Sequence, residues 1–153
     1  MHSTFYTWSR EHIQRVFEAK NEADCLRALN DTFSQKIELS LNGTSLPRTH
    51  LQTAIMAMVA GSGFRLSVEW QHANEVPRDP SNSPASQNGT LEGHYVIRGI
   101  RKQLPGRSTT ALYERHKSVK VVIESESSDR SVDTRRIVKL TIVAKDVPMQ
   151  SHH

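Results

Sequence analysis

The stretch Phe64-Arg65-Leu66-Ser67-Val68-Glu69-Trp70-Gln71 decides the fold. Its apolar residues occupy alternate positions, the pattern of a strand with one face buried and the other wet. Strand patterns then continue to the end of the chain, over about Leu91 to Lys102, Thr109 to Glu126 and Thr134 to Val147. Upstream the period changes. Between Thr4 and Lys20, Phe5, Trp8, Ile13, Val16 and Phe17 recur at helical spacing, with Arg10, Glu11, Gln14, Arg15 and Glu18 on the other side. Asn21 with Asp24 three residues on is a capped helix start, and Ala23, Leu26, Leu29 and Phe33 form a second apolar stripe. Lys36 to Leu41 alternates and Asn42-Gly43 turns it back, giving a short strand and turn. Pro47 opens a third helix carrying Leu51, Ile55, Met58 and Val59, which stops at Gly61 and Gly63. Helices first and strands afterwards predict an α+β domain, with three N-terminal helices packed in the concave face of a curved, mainly antiparallel sheet.

A chain of 153 residues with 36% hydrophobic and 24% charged residues has room for a real core but not for two enzyme domains. Residues 1–150 read as one domain, and Ser151, His152 and His153 as a tail to which no role is given. The segment Pro77 to Gly89, rich in Pro, Ser and Asn, is expected to be a mobile loop. No run of apolar residues approaches a membrane span and the start is polar, so the expected compartment is the cytoplasm or the nucleus. The single cysteine, Cys25, rules out an internal disulfide and reads as a buried, inert thiol. Asn42-Gly43-Thr44 and Asn88-Gly89-Thr90 match the glycosylation sequon and, without a secretory signal, are read as chance matches.

The element order, together with the Phe5 to Phe17 stripe, the Ile37-Glu38-Leu39-Ser40-Leu41-Asn42-Gly43 turn, the Leu46-Pro47-Arg48 helix start and the terminal meander, resembles the nuclear transport factor 2-like superfamily. Polyketide-cyclase-like and ketosteroid-isomerase-like proteins fall within it. The resemblance implies a conical pocket enclosed by sheet and helices, and a homodimer formed through the outer face of the sheet. A cystatin-like arrangement with a single helix is the alternative fold, and the two additional helices argue against it.

Charge is unevenly distributed. Met1 to Ile97 holds 8 basic and 10 acidic residues, whereas Arg98 to His153 holds 12 and 6, so the basic excess belongs to the second part of the sequence. Arg98, Arg101, Lys102, Arg107, Lys117, Lys120, Arg135, Arg136, Lys139 and Lys145 are interleaved with strand residues and read as a solvated sheet face. No aromatic-rich RNA-binding motif, phosphate-binding loop, dinucleotide fingerprint or nucleophile elbow is present, so nucleic acid is not the expected partner and no cofactor is expected.

Strand register follows from keeping apolar residues on one side. The last hairpin then pairs Ile123 with Val138, Val121 with Leu140 and Val119 with Ile142. The middle hairpin pairs Ile97 with Tyr113 and Gly99 with Ala111, and the first pairs Trp70 with Ile97. This register sets His72, Tyr95, Arg115 and Asp146 in one inward row. Such a row has the ingredients for proton transfer and for holding an oxyanion or carboxylate, although a hydrogen-bonded rim is the plainer reading of the same residues. The favoured reading is a nonenzymatic small-molecule-binding or scaffold protein, with Trp70, Tyr95 and Tyr113 expected as pocket walls and His72 and Arg115 as polar anchors for a small, partly apolar ligand. His72, Tyr95 and Asp146 are the catalytic candidates should the pocket house a cofactor-independent lyase, isomerase or cyclase. The resemblance implies an inward carboxylate base, yet Glu69, Glu92 and Glu114 fall on the outer parity. On that face His94 and His116 are expected as direct partners, too few ligands for a metal site. Val96, Ile100, Leu112, Val122 and Val143 make it apolar enough for a homodimer interface. An adaptor binding protein or RNA through the sheet or loop is the remaining alternative.

Overall fold

The computed structural model describes residues 4–77, 88–103, 106, 110–127 and 133–149. Most of the expected loop between Pro77 and Gly89, Arg107 and the terminal tail lie outside them. Helix α1 (Phe5–Phe17) is capped by the Thr4 hydroxyl, which accepts from the Thr7 amide, and α2 (Glu22–Thr32) by Asn21, which accepts from the Asp24 amide. Strand β1 (Phe33–Leu41) follows directly, turns at Asn42-Gly43 into β2 (Thr44–Leu46), and Pro47 caps α3 (Arg48–Gly61). The chain then runs through β3 (Ser67–Pro77), β4 (Gly89–Gln103), β5 (Thr110–Ser125) and β6 (Arg135–Pro148).

The six strands form one curved sheet in the order β2-β1-β6-β5-β4-β3. Every pairing is antiparallel except β1 with β6. All three helices pack on one face of this sheet, and the α+β architecture is the one the sequence predicts. Trp8, Ile13, Val16, Phe17 and Leu29 from the helices meet Leu91, Ile97, Val121, Ile123 and Ile137 from the strands in a continuous core. Cys25 is fully buried there, its thiol facing the carbonyl of Val16, and burial pushes its pKa up.

Three skipped residues in the antiparallel ladders help set which side chains enter the core. Gln71 has no partner, because Trp70 lies opposite Tyr95 and His72 opposite His94. Gly99, at φ +94°, is likewise skipped between the pairs Arg98–Glu114 and Ile100–Tyr113. Val138 is skipped between Lys139 and Ile137. Each is a β-bulge, which bends the strand and reverses the faces beyond it.

These bulges correct the expected register. Val121–Leu140 and Val119–Ile142 stand as read, but Ile123 pairs with Ile137, Ile97 with Arg115 and Trp70 with Tyr95. Ile100, assigned to the outer face, turns into the core behind Gly99.

Gly93 makes room for an aromatic ring. A Cβ there would meet Trp70 Cζ3 at 2.7 Å and the His72 carbonyl at 3.0 Å. Gly93→Ala is therefore expected to cost about 1–3 kcal/mol, the usual range for overpacking. The check is chemical denaturation followed through tryptophan emission, and a midpoint equal to that of the parent protein would contradict it.

Candidate ligand-binding site

A cavity of about 270 Å³ lies between α3, the β1–β2 hairpin and the inner faces of β5 and β6. Its size is near the lower end of small-molecule sites. Leu39, Leu51, Ile55 and Ile142 are its buried apolar walls, and exposed Asn42, His50 and Ala54 mark its rim. The wall is fixed locally. Asn42, at φ 49°, both donates to and accepts from the backbone of Ala144, tying the β1–β2 turn to β6.

Besides His50 at the rim, three ionisable residues line this space: Arg115, Lys117 and Asp146. Arg115 and Asp146 are cross-strand partners and form a two-pronged ion pair, Nε to Oδ1 at 2.6 Å and Nη2 to Oδ2 at 3.0 Å. Lys102 also contacts Asp146. The Arg115 hydrogen bond, reinforced by Lys102, holds the Asp146 carboxyl down at about 2. Asp146 is thus an anchored anion and a poor proton acceptor near neutrality.

Lys117 is different. It is 6% exposed, and its ammonium sits 4.6 Å from the ring centre of Phe17 and 5.7 Å from that of Tyr95. Among the described residues it makes no hydrogen bond or ion pair. Burial, and then the nearby charge of Arg115, lowers its pKa to about 7 against the partial restoring effect of Asp146. Arg115 Nη1 is also short of acceptors, finding only the Met58 thioether at 3.5 Å. Among the described residues, neither Lys117 Nζ nor Arg115 Nη1 donates to an oxygen.

Of the residues proposed from sequence, the fold brings Arg115 and Asp146 into this cavity. Tyr95 lies behind it, 3% exposed, stacked against Lys117 and opposite it in the ladder; burial raises its phenol pKa. Trp70 faces inward but packs on Tyr95 at 4.8 Å and edge-on to Tyr6 at 5.9 Å, away from the cavity walls. Tyr113, opposite Ile100, has its ring 5.1 Å from the Lys102 ammonium.

His72 does not join the inward row. The bulge at Gln71 turns it outward, where its ring lies 5.7 Å from that of His94. His94 is in turn 5.8 Å from His116, so these two are diagonal neighbours, with Ser118 and Val96 as their direct partners. His116 Nε2 donates to the Glu114 carboxylate at 2.9 Å, and Arg98 bridges Glu69 and Glu114. Glu69 and Glu114 are therefore engaged in surface ion pairs. Leu112, Val76 and Val143 remain exposed.

Lys117 is the site residue that reading by composition missed, having been counted with the solvated basic residues. Its parity carried the signal: it stands two residues before Val119 and four before Val121, both core residues.

Comparison with solved structures places the architecture. A protein with a cystatin-like fold from Caulobacter vibrioides superposes with a TM-score of 0.55 at 13% identity, over 91% of this chain and 89% of that one. The designed protein Rd1NTF2_04 with long sheet superposes with a TM-score of 0.50 at 9% identity, over 89% and 97%. The chain has a nuclear transport factor 2-like fold. A phenazine biosynthesis-related protein from Pseudomonas aeruginosa is also similar, with a TM-score of 0.46, 14% identity and coverage of 95% and 82%. No protein-family model and no curated protein sequence matches the chain. Within this nuclear transport factor 2-like frame, the cavity opens beside the parallel β1–β6 pair and is roofed by α3. No helix of the described residues is long and apolar enough to cross a membrane.

Proposed function

We propose that this protein binds a small, partly apolar molecule carrying an anionic oxygen, held in the cavity between α3 and the inner faces of β5 and β6. The observation that supports this reading is the pair of cationic groups, Lys117 and the Arg115 Nη1 edge, which among the described residues meets only the Met58 sulfur, in a cavity whose apolar walls are Leu39, Leu41, Leu46, Leu51, Ile55 and Ile142. A buried ammonium without an anion is costly, and a ligand carboxylate entering from the His50 rim would supply the missing charge. Arg115 presents a hydrogen-bonding edge, so a carboxylate fits better than a neutral hydroxyl. An adaptor acting through its surface has no use for charged donors turned into a cavity.

Titration of isotope-labelled protein with benzoate and with benzyl alcohol tests the reading by nuclear magnetic resonance. Benzoate is expected to shift signals of Leu51, Ile55, Arg115, Lys117 and Ile142 and to bind at least tenfold more tightly than the alcohol, about 1.4 kcal/mol or more. Equal affinities, or shifts confined to the outer face of the sheet, would overturn it.

A further inference from the structure

We infer that Lys117 is a carbonyl-condensing nucleophile, and that the cavity accepts a small aldehyde or ketone which also bears a carboxylate. The inference rests on the binding reading above and adds a covalent step to it. Three features of the geometry carry it. Lys117 is one of the residues lining the cavity, beside the space a ligand would fill. Its neighbours on two sides are the aromatic faces of Phe17 and Tyr95, which leave the nitrogen lone pair unclaimed once the proton is lost. No carboxylate lies within ion-pair distance of it among the described residues, so nothing locks the amine in its charged form.

Burial outweighs every other influence on Lys117, and the charged groups facing it pull in opposite directions. Arg115 on its own strand opposes the ammonium, Asp146 on β6 partly restores it, Tyr95 on β4 is a neutral phenol, and His50 stands at the rim on α3. The outcome is an amine with a substantial neutral fraction near pH 7, where an ordinary lysine has almost none. Surface lysines such as Lys36, Lys120 and Lys139 are exposed and serve as internal controls.

The step balances without an added reagent. The Nζ lone pair attacks the carbonyl carbon and forms a C–N bond, giving a carbinolamine. Loss of water then breaks the C–O bond and leaves the C=N bond of an imine, the water taking both hydrogens of the amine. Arg115 Nη1 would hold the ligand's carboxylate while this occurs, leaving Asp146 in its ion pair.

The test uses the whole protein with 4-carboxybenzaldehyde, sodium borohydride to trap any imine as a secondary amine, and peptide mass spectrometry to locate it. Lys117 is expected to be labelled at least tenfold faster than Lys36, Lys120 or Lys139 at pH 7, with labelling that rises through a midpoint near neutrality. Lys117→Arg, which keeps the charge but not the nucleophile, is expected to lose this label, and Lys117→Gln provides a second variant should the larger side chain disturb the core. Label spread evenly over surface lysines would overturn the inference. Benzoate binding at the cavity without a Lys117 adduct would overturn the covalent step alone and leave the binding reading standing. Absence of both would overturn the two together.

Discussion

Lys117→Met is expected to melt roughly 4–8 °C above the parent protein at pH 7. The gain comes from removing a cost. Lowering an amine from 10.5 to about 7 reflects several pKa units of destabilised charge, each worth about 1.4 kcal/mol. Attraction of the ammonium to the faces of Phe17 and Tyr95 offsets part of that cost, and methionine fills a similar volume, leaving a net gain of about 2 kcal/mol. The pH dependence has a definite sign. Between pH 7 and 10.5 the unfolded chain keeps the proton that the folded protein has released, so the parent protein gains stability as pH rises through this window. The gap between variant and parent should therefore narrow steadily from pH 7 toward pH 10. Melting curves followed by circular dichroism at several pH values read this out, and a variant less stable than the parent at pH 7 would refute the account of Lys117 as a buried, uncompensated amine.

Asp146→Asn is expected to act in the opposite direction, costing about 1.5–3 kcal/mol, the range for hydrogen bonds that involve charged groups. The substitution retains the shape but removes the anion that Arg115 grips with two hydrogen bonds and that Lys102 also contacts. Because the native carboxyl titrates at about 2 and the unfolded one at its ordinary 3.8, its contribution is fully present above pH 4 and is lost as pH falls through 2. The difference between the two proteins should be flat from pH 8 to 4 and shrink below that. A second readout separates this charge effect from loss of packing. Without Asp146 the Lys117 ammonium loses its one restoring carboxylate, so the midpoint for trapping an aldehyde on Lys117 should move below 7. An unmoved midpoint would mean that Asp146 supports the strand pair but does not tune the amine.

The architecture was legible because its signals are local and repeated. The Asn21 cap, the alternation around Val68 and the Asn42-Gly43 turn each needs only a few residues to be read, and each appears in the structure. The last hairpin was legible near Val119 and Val121 because both have apolar partners that cannot be exposed without loss. Register failed where one residue was skipped. At Gly99 a signal existed, since an isolated glycine within a strand marks a bulge, and its positive φ is the physical reason. At Gln71 there was none: glutamine reads as an ordinary outward residue, yet skipping it turned His72 away from the site. Lys117 shows a different limit. Alternation placed it inward, while the habit of assigning lysine to water placed it outward, and only the surrounding rings of Phe17 and Tyr95 explain why alternation prevails.

The parallel join between β1 and β6 ties residues near the beginning of the chain to residues near its end, Phe33 to Ile137 and Leu41 to Ile142. During synthesis the helices and β1 emerge long before their seam can close, whereas the antiparallel strands that follow need only their sequence neighbours. Contacts between such distant segments form late and slow the search for the native state. Leu39 and Leu41 reach Ile142 and Asp146 only when that seam closes, so the chamber comes into being with the final strand. Until then the amine of Lys117 is bathed in water and keeps its proton like any other lysine; its unusual chemistry belongs to the finished molecule alone.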